Sequence, residues 1–176
     1  MTGNRADALA RLDVFVGGWV MEARFPGDQP APSGAAGGSP RAHSRFEWAL
    51  GRQFLLQRTE TAIPEAPDSL AVVSADLITG AYMQHYYDSR GVARLYSMSL
   101  ADRVWTLTRE SPDFTRLDFS QRFTGTFSAD GNTISGVWEK RSGGDWEHDF
   151  ALTYRRAGRQ QRRHLSSTGN PAQGRQ

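Results

Sequence analysis

Apolar and polar side chains alternate with a period of two along most of this chain, in short stretches broken by Gly, Pro, Asp, Asn and Ser. Successive side chains of a strand point to opposite faces, so this rhythm predicts half-buried β-strands. Val14–Phe25 reads as the first. Others follow at about 43–50, 52–62, 70–78, 80–87, 92–99, 103–110, 118–128, 133–141 and 145–155, which makes ten. Before them, Ala6–Leu12 holds good helix formers, with Ala8, Leu12 and Phe15 at helical spacing. Asp88-Ser89-Arg90-Gly91, Ala129-Asp130-Gly131-Asn132 and Ser142-Gly143-Gly144 carry hairpin chemistry. There is no internal repeat and no βαβ alternation. The expected fold is all-β: an antiparallel up-and-down meander with a short N-terminal helix, closed into a barrel so that no edge is left exposed.

The last strand interrupts the pattern. In Trp146-Glu147-His148-Asp149-Phe150-Ala151-Leu152-Thr153-Tyr154, strict alternation puts Trp146, His148, Phe150, Leu152 and Tyr154 on one face. A histidine then stands among aromatic and aliphatic groups. Turn geometry suggests what it faces. A two-residue loop at Asp130-Gly131 sets Phe127 opposite Ile134, Gly125 opposite Gly136, Phe123 opposite Trp138 and Arg122 opposite Glu139. In the next hairpin, a two-residue Gly143-Gly144 loop would bring Glu139 to His148 and Trp138 to Asp149, mixing the faces. A three-residue Ser142-Gly143-Gly144 loop keeps them unmixed, pairing Trp138 with His148, Gly136 with Phe150, Ile134 with Leu152 and Glu139 with Glu147. This choice predicts a lumen of Phe123, Phe127, Ile134, Trp138, Trp146, His148, Phe150 and Leu152.

Phe15-Val16-Gly17-Gly18-Trp19 places a G-x-W motif just after the short helix. With ten strands and a terminal arginine pair, it resembles the calycin superfamily of lipocalins, fatty-acid-binding proteins and haem-binding nitrobindins. The likeness covers roughly residues 8–156. Phe119–Phe127 and the Trp146–Tyr154 strand also look like uncharacterised actinobacterial proteins with lipocalin-like barrels. The resemblance implies that Trp19 plugs one end of a calycin-like barrel, that Gly17 belongs to the same structural motif, and that Arg155 or Arg156 packs over the indole as a cation–π contact. It also implies a small hydrophobic or amphipathic ligand inside.

An aromatic cavity with a few polar groups suits such a ligand. His148, Trp138, Phe123, Phe150, Trp146, Tyr96, Arg109 and His85 are the candidate binding residues. Arg109 shares a face with Trp105 and Leu107, so burial would make it seek an anion such as a carboxylate. His148 has two further readings. One is a purely structural histidine. The other comes from the nitrobindin resemblance, where the iron-binding histidine opens the final strand; His148 lies seven residues before Arg155 and would be the axial ligand of a haem. No G-x-S-x-G or H-E-x-x-H motif is present, though His43, His85 and His148 could still meet in the fold. A cyclase or isomerase acting through one general acid or base in the pocket (His148, Tyr87 or Glu110) is the remaining enzymatic reading.

Composition adds boundaries. The 176 residues fit one domain at 1–156. Cysteine is absent, which removes disulfides and thiolate chemistry. No apolar run of membrane-spanning length and no secretory-type N-terminus is visible, so a cytoplasmic location is expected. Residues 155–176 carry six arginines and no acid. Taking that +6 from the overall +2 leaves −4 for the remainder. Residues 157–176 therefore read as a disordered basic tail, a solubilising extension rather than a nucleic-acid contact. The Pro/Gly/Ala-rich stretch 26–42 reads as an insertion rather than a lid. The sequence leaves monomer and homodimer equally open.

Overall fold

The computed structural model describes residues 5–27, 41–62 and 66–158. Helix α1 (Arg5–Arg11) runs into a 3-10 turn, Leu12–Phe15, and then ten strands follow. They are β1 (Gly17–Arg24), β2 (Arg41–Ala49), β3 (Phe54–Thr61), β4 (Ser69–Ala75), β5 (Tyr82–Asp88), β6 (Ala93–Ala101), β7 (Val104–Arg109), β8 (Ser120–Phe127), β9 (Thr133–Arg141) and β10 (Glu147–Arg156). Each pairs antiparallel with its neighbour, and β1 joins β10 to close the barrel. The all-β meander with one short N-terminal helix is thus the observed fold. Much of the 26–42 stretch, and the tail from residue 159 onward, lie outside the described residues. No helix among the described residues is long and apolar enough to cross a membrane.

The helix end is sealed by aromatic packing. Leu12, Phe15, Trp19, Phe46, Leu55, Trp105, Phe127 and Ile134 are almost fully buried there. Phe15 stacks on Phe46 with ring centroids 5.2 Å apart and meets Trp105 and Phe127 edge-on. The Trp19 indole N–H donates to the Phe15 carbonyl at 2.7 Å. The basic partner over its ring is Arg156, 4.2 Å from the centroid; Arg155 is exposed. Arg156 also donates to the carbonyls of Val16 and Val14, each at 2.6 Å. Gly17 has φ +125°, and a Cβ there would lie 3.1 Å from Nη1 of Arg156. Glycine at 17 therefore makes the arginine cap possible. Helix α1 is tied on by Tyr82 Oη, which donates to the Ala8 carbonyl at 2.5 Å, and by Arg5 Nε, which donates to that of Ala75 at 3.1 Å.

The β8–β9 hairpin has the expected register. Phe127 faces Ile134, Gly125 faces Gly136, Phe123 faces Trp138 and Arg122 faces Glu139, with an Arg122–Glu139 ion pair at 2.7 Å on the outer face. The paired glycines have a packing reason. A Cβ on Gly136 would lie 2.4 Å from the Phe123 ring and one on Gly125 2.7 Å from it, so that ring lies across both backbones.

The β9–β10 hairpin departs from expectation. Glu147 pairs with Lys140 and His148 with Glu139, the register of the two-residue Gly143-Gly144 loop. A bulge at Asp149 then shifts the ladder, so that Phe150 pairs with Trp138, Leu152 with Gly136 and Tyr154 with Ile134. An extra residue in one strand reverses which face the following residues take. The mixing of faces that argued against this loop is thereby removed without changing the turn. Asp149 itself reaches Lys140, Oδ1 to Nζ 3.1 Å.

Candidate functional site

Inward-facing residues change character along the barrel axis. Beyond the aromatic plug, towards the end where β1 finishes at Arg24 and β6 begins at Ala93, polar groups enter the lumen. Ser44, Gln57, Thr59, Gln84 and Arg109 are all buried. Gln57 Nε2 and Thr59 Oγ1 each lie 3.1 Å from Ser44 Oγ, a closed polar knot on β2 and β3. Tyr154 is fully enclosed, and burial pushes its phenol well above the ordinary tyrosine value.

Opposite this knot, β5, β6 and β8 build a second polar group. Gln84 pairs with Tyr96, and Tyr86 with Arg94, across β5 and β6. Arg94 Nη1 donates to Gln121 Oε1, and Tyr96 Oη donates to the same oxygen at 3.0 Å. The Arg94 guanidinium also lies 5.5 Å from the Phe119 ring centroid. Tyr86 Oη donates to Asp88 Oδ2 at 3.2 Å. Burial, then the neighbouring Asp88 charge, pushes the Tyr86 phenol up to about 12. Burial also raises that of Tyr96. Two atoms in this group are buried without a partner among the described residues: Oε1 of Gln84 and Nε of Arg94. The indole N–H of Trp105, at the boundary with the plug, is a third.

An aromatic wall flanks them. Tyr96 meets Trp138 edge-on at 5.7 Å, Trp138 lies against Phe123 at 5.3 Å and stacks on Phe150 at 6.4 Å, and Phe150 continues to Phe25 at 5.1 Å. Phe123 is buried, Trp138 and Phe150 are half-buried, and Phe25 is exposed. The wall therefore runs from the core of the lumen out to solvent.

Of the sequence candidates, the lumen brings together Phe123, Trp138, Phe150 and Tyr96. It does not include His148, which is exposed on the outer face beside Glu139 because of the Asp149 bulge. The same bulge sends Trp146 outside, where its ring is sandwiched between the guanidiniums of Arg122 and Arg141 at 4.5 and 4.6 Å. His85 lies between the inward-facing Gln84 and Tyr86, so it points outward. Arg109 is buried as expected, but its anion is internal. Asp113 takes it in a two-pronged pair at 2.7 and 2.9 Å, with both side chains about 2% exposed. Asp113 also accepts the Leu95 backbone N–H, which fastens the 110–119 loop to β6. Arg109 holds the Asp113 carboxyl well below the usual carboxylate range.

These positions bear on the haem and cyclase readings. His43, His85 and His148 all lie on the outer face, so a haem in the lumen would find no axial imidazole among the described residues. The site does not fit that group. No cluster of three metal-ligating side chains occurs among the described residues. Of the acid/base candidates, Tyr87 is outward and exposed, and Glu110 is an exposed partner of Arg141 at 2.6 Å. The sequence reading missed Gln84, Arg94 and Gln121. A partial signal was available: each falls on the inward parity of a strand whose other inward residues are mostly apolar or aromatic.

No protein-family model and no curated protein sequence matches the chain. In three dimensions it is similar to the crystal structure of Rv2717c from M. tuberculosis, with a TM-score of 0.55 and 15% identity. That likeness covers 86% of this chain and 98% of that one. At such an identity it shows a shared fold alone.

Proposed function

We propose that the half of the lumen beyond the Trp19 plug binds a small amphipathic molecule. The observation that supports this is the graded aromatic wall from buried Phe123 through half-buried Trp138 and Phe150 to exposed Phe25, with polar side chains converging beside it. A closed protein core has no need of such a gradient. An apolar wall with a few polar groups at its inner end is the general form of a small-molecule pocket. Nile red, a neutral probe that brightens in apolar surroundings, tests the reading when titrated into the native protein. The expected result is saturable binding, displaced by decan-1-ol and weakened by Trp138→Ala. Absence of saturable binding across neutral and charged probes would overturn it. Binding unchanged by Trp138→Ala would place the probe elsewhere and count equally against it.

A further inference from the structure

Buried charge in this barrel is otherwise compensated. Asp113 is paired with Arg109. Asp88, whose side chain is fully enclosed, accepts from Arg90, Tyr86 and the backbone N–H groups of Arg90 and Val92. Arg94 differs: it makes no ion pair with any described carboxylate. Its side-chain contacts are neutral ones, the Gln121 carbonyl oxygen, the Tyr96 hydroxyl and the Phe119 ring. Because Gln121 Oε1 accepts from both Arg94 and Tyr96, the Nη1 end of the guanidinium is held in place. Its Nε–H is left buried with no acceptor among the described residues. The Arg94 side chain is half-buried, and a buried donor without an acceptor is costly.

Gln84 presents the complementary vacancy. It is 4% exposed, and its Oε1 has no donor among the described residues. Gln84 and Arg94 are diagonal neighbours on β5 and β6, a placement that sets their Cβ atoms about 7–8 Å apart. One ligand headgroup can span both. Nε–H needs an acceptor and Oε1 needs a donor, so a bare carboxylate satisfies only the first. There is one uncompensated positive charge, which suits a monoanion better than a phosphate dianion.

We infer that the ligand is a hydroxycarboxylate, its carboxylate on the Nε edge of Arg94 and its neighbouring hydroxyl donating to Gln84 Oε1. This rests on the binding reading above and names the headgroup. The tail then lies along Trp138, Phe150 and Phe25 towards solvent.

Displacement of Nile red by 3-hydroxydecanoate, decanoate and decan-1-ol tests it. The wild-type order should be hydroxy acid, then acid, then alcohol, with about tenfold between the first and last. Arg94→Met should cost both acids about tenfold and so close the gap between them and the alcohol. Gln84→Leu should erase the preference of hydroxy acid over acid. The inference is overturned, with the binding reading intact, if decan-1-ol displaces as well as either acid. Displacement by none of the three would overturn both. The wild-type order decides between these outcomes even if a variant fails to fold.

Discussion

At the helix end of the barrel, every strong hydrogen-bonding group around Trp19 has a protein partner: its indole N–H goes to Phe15, and the arginine over its ring goes to two carbonyls. At the far end, on the same strands, Arg94 and Gln84 keep buried atoms that no described residue satisfies. Both ends are largely screened from water, so exposure does not explain the difference. The contrast separates a region optimised for stability from one that carries a cost. A folded protein tolerates unsatisfied polar burial where something other than folding benefits. Trp105, with its orphan N–H, marks where one regime gives way to the other.

The largest test of that contrast is Trp19→Ala. Losing a fully buried indole with its hydrogen bond and cation–π partner should cost about 3–5 kcal/mol by urea denaturation. Trp138→Ala, a half-buried indole at the far end, should cost clearly less. Equal costs would break the comparison, since they would make the two ends equally structural.

Arg109→Met probes a far-end group that is fully satisfied, and should cost about 3 kcal/mol because it strands the buried Asp113 carboxylate. The pH dependence gives a second readout. Asp113 has its folded pKa below the unfolded value, so its contribution is complete above the unfolded pKa, about 4. It is lost as pH falls towards the folded one. The stability gap between wild type and Asp113→Asn should therefore be full at about pH 7 and shrink below about pH 4. A gap that widens on acidification would contradict the pairing.

Gln84→Met should move the other way. It removes an unsatisfied acceptor at nearly constant shape, and should stabilise the protein by about 1 kcal/mol while weakening binding of 3-hydroxydecanoate. A loss of stability would mean that Gln84 belongs to the structural half.

How much of this was legible in the chain depends on where turn chemistry alone decides. The β8–β9 register followed from Asp130-Gly131, because a two-residue turn between strands of clean alternation has one solution that keeps Phe123 and Trp138 inside. The β9–β10 register did not follow. A bulge at Asp149 is a local exchange between ladder geometry and the Lys140 contact, and nothing in the alternation announces it. That one residue sends Trp146 and His148 outside. The aromatic members of the site (Phe123, Trp138, Phe150, Tyr96) were readable as inward apolar positions. The polar members were harder, because Arg94 and Gln84 acquire meaning only through what they lack, and a missing partner is a property of the fold.

The smallest expected effect is at the residue that stood out most in the sequence. His148 is exposed, faces Glu139 on the outer surface, and touches no part of the aromatic wall. His148→Ala should change stability by no more than about 0.5 kcal/mol. It should leave Nile red and 3-hydroxydecanoate binding at wild-type values, since neither the Arg94 group nor Trp138 depends on its side chain. Deleting Asp149 is the sharper companion experiment. Without the extra residue, His148 and Phe150 become consecutive, and strand alternation keeps them on opposite faces, His148 outside and Phe150 inside. The ladder becomes regular and only the Lys140–Asp149 contact is lost. Trp138 emission and Nile red binding should therefore stay at wild-type values. A shifted emission with weakened binding would mean that the β9–β10 pairing has slipped, and the division between the aromatic wall and the outer face would fail at β10.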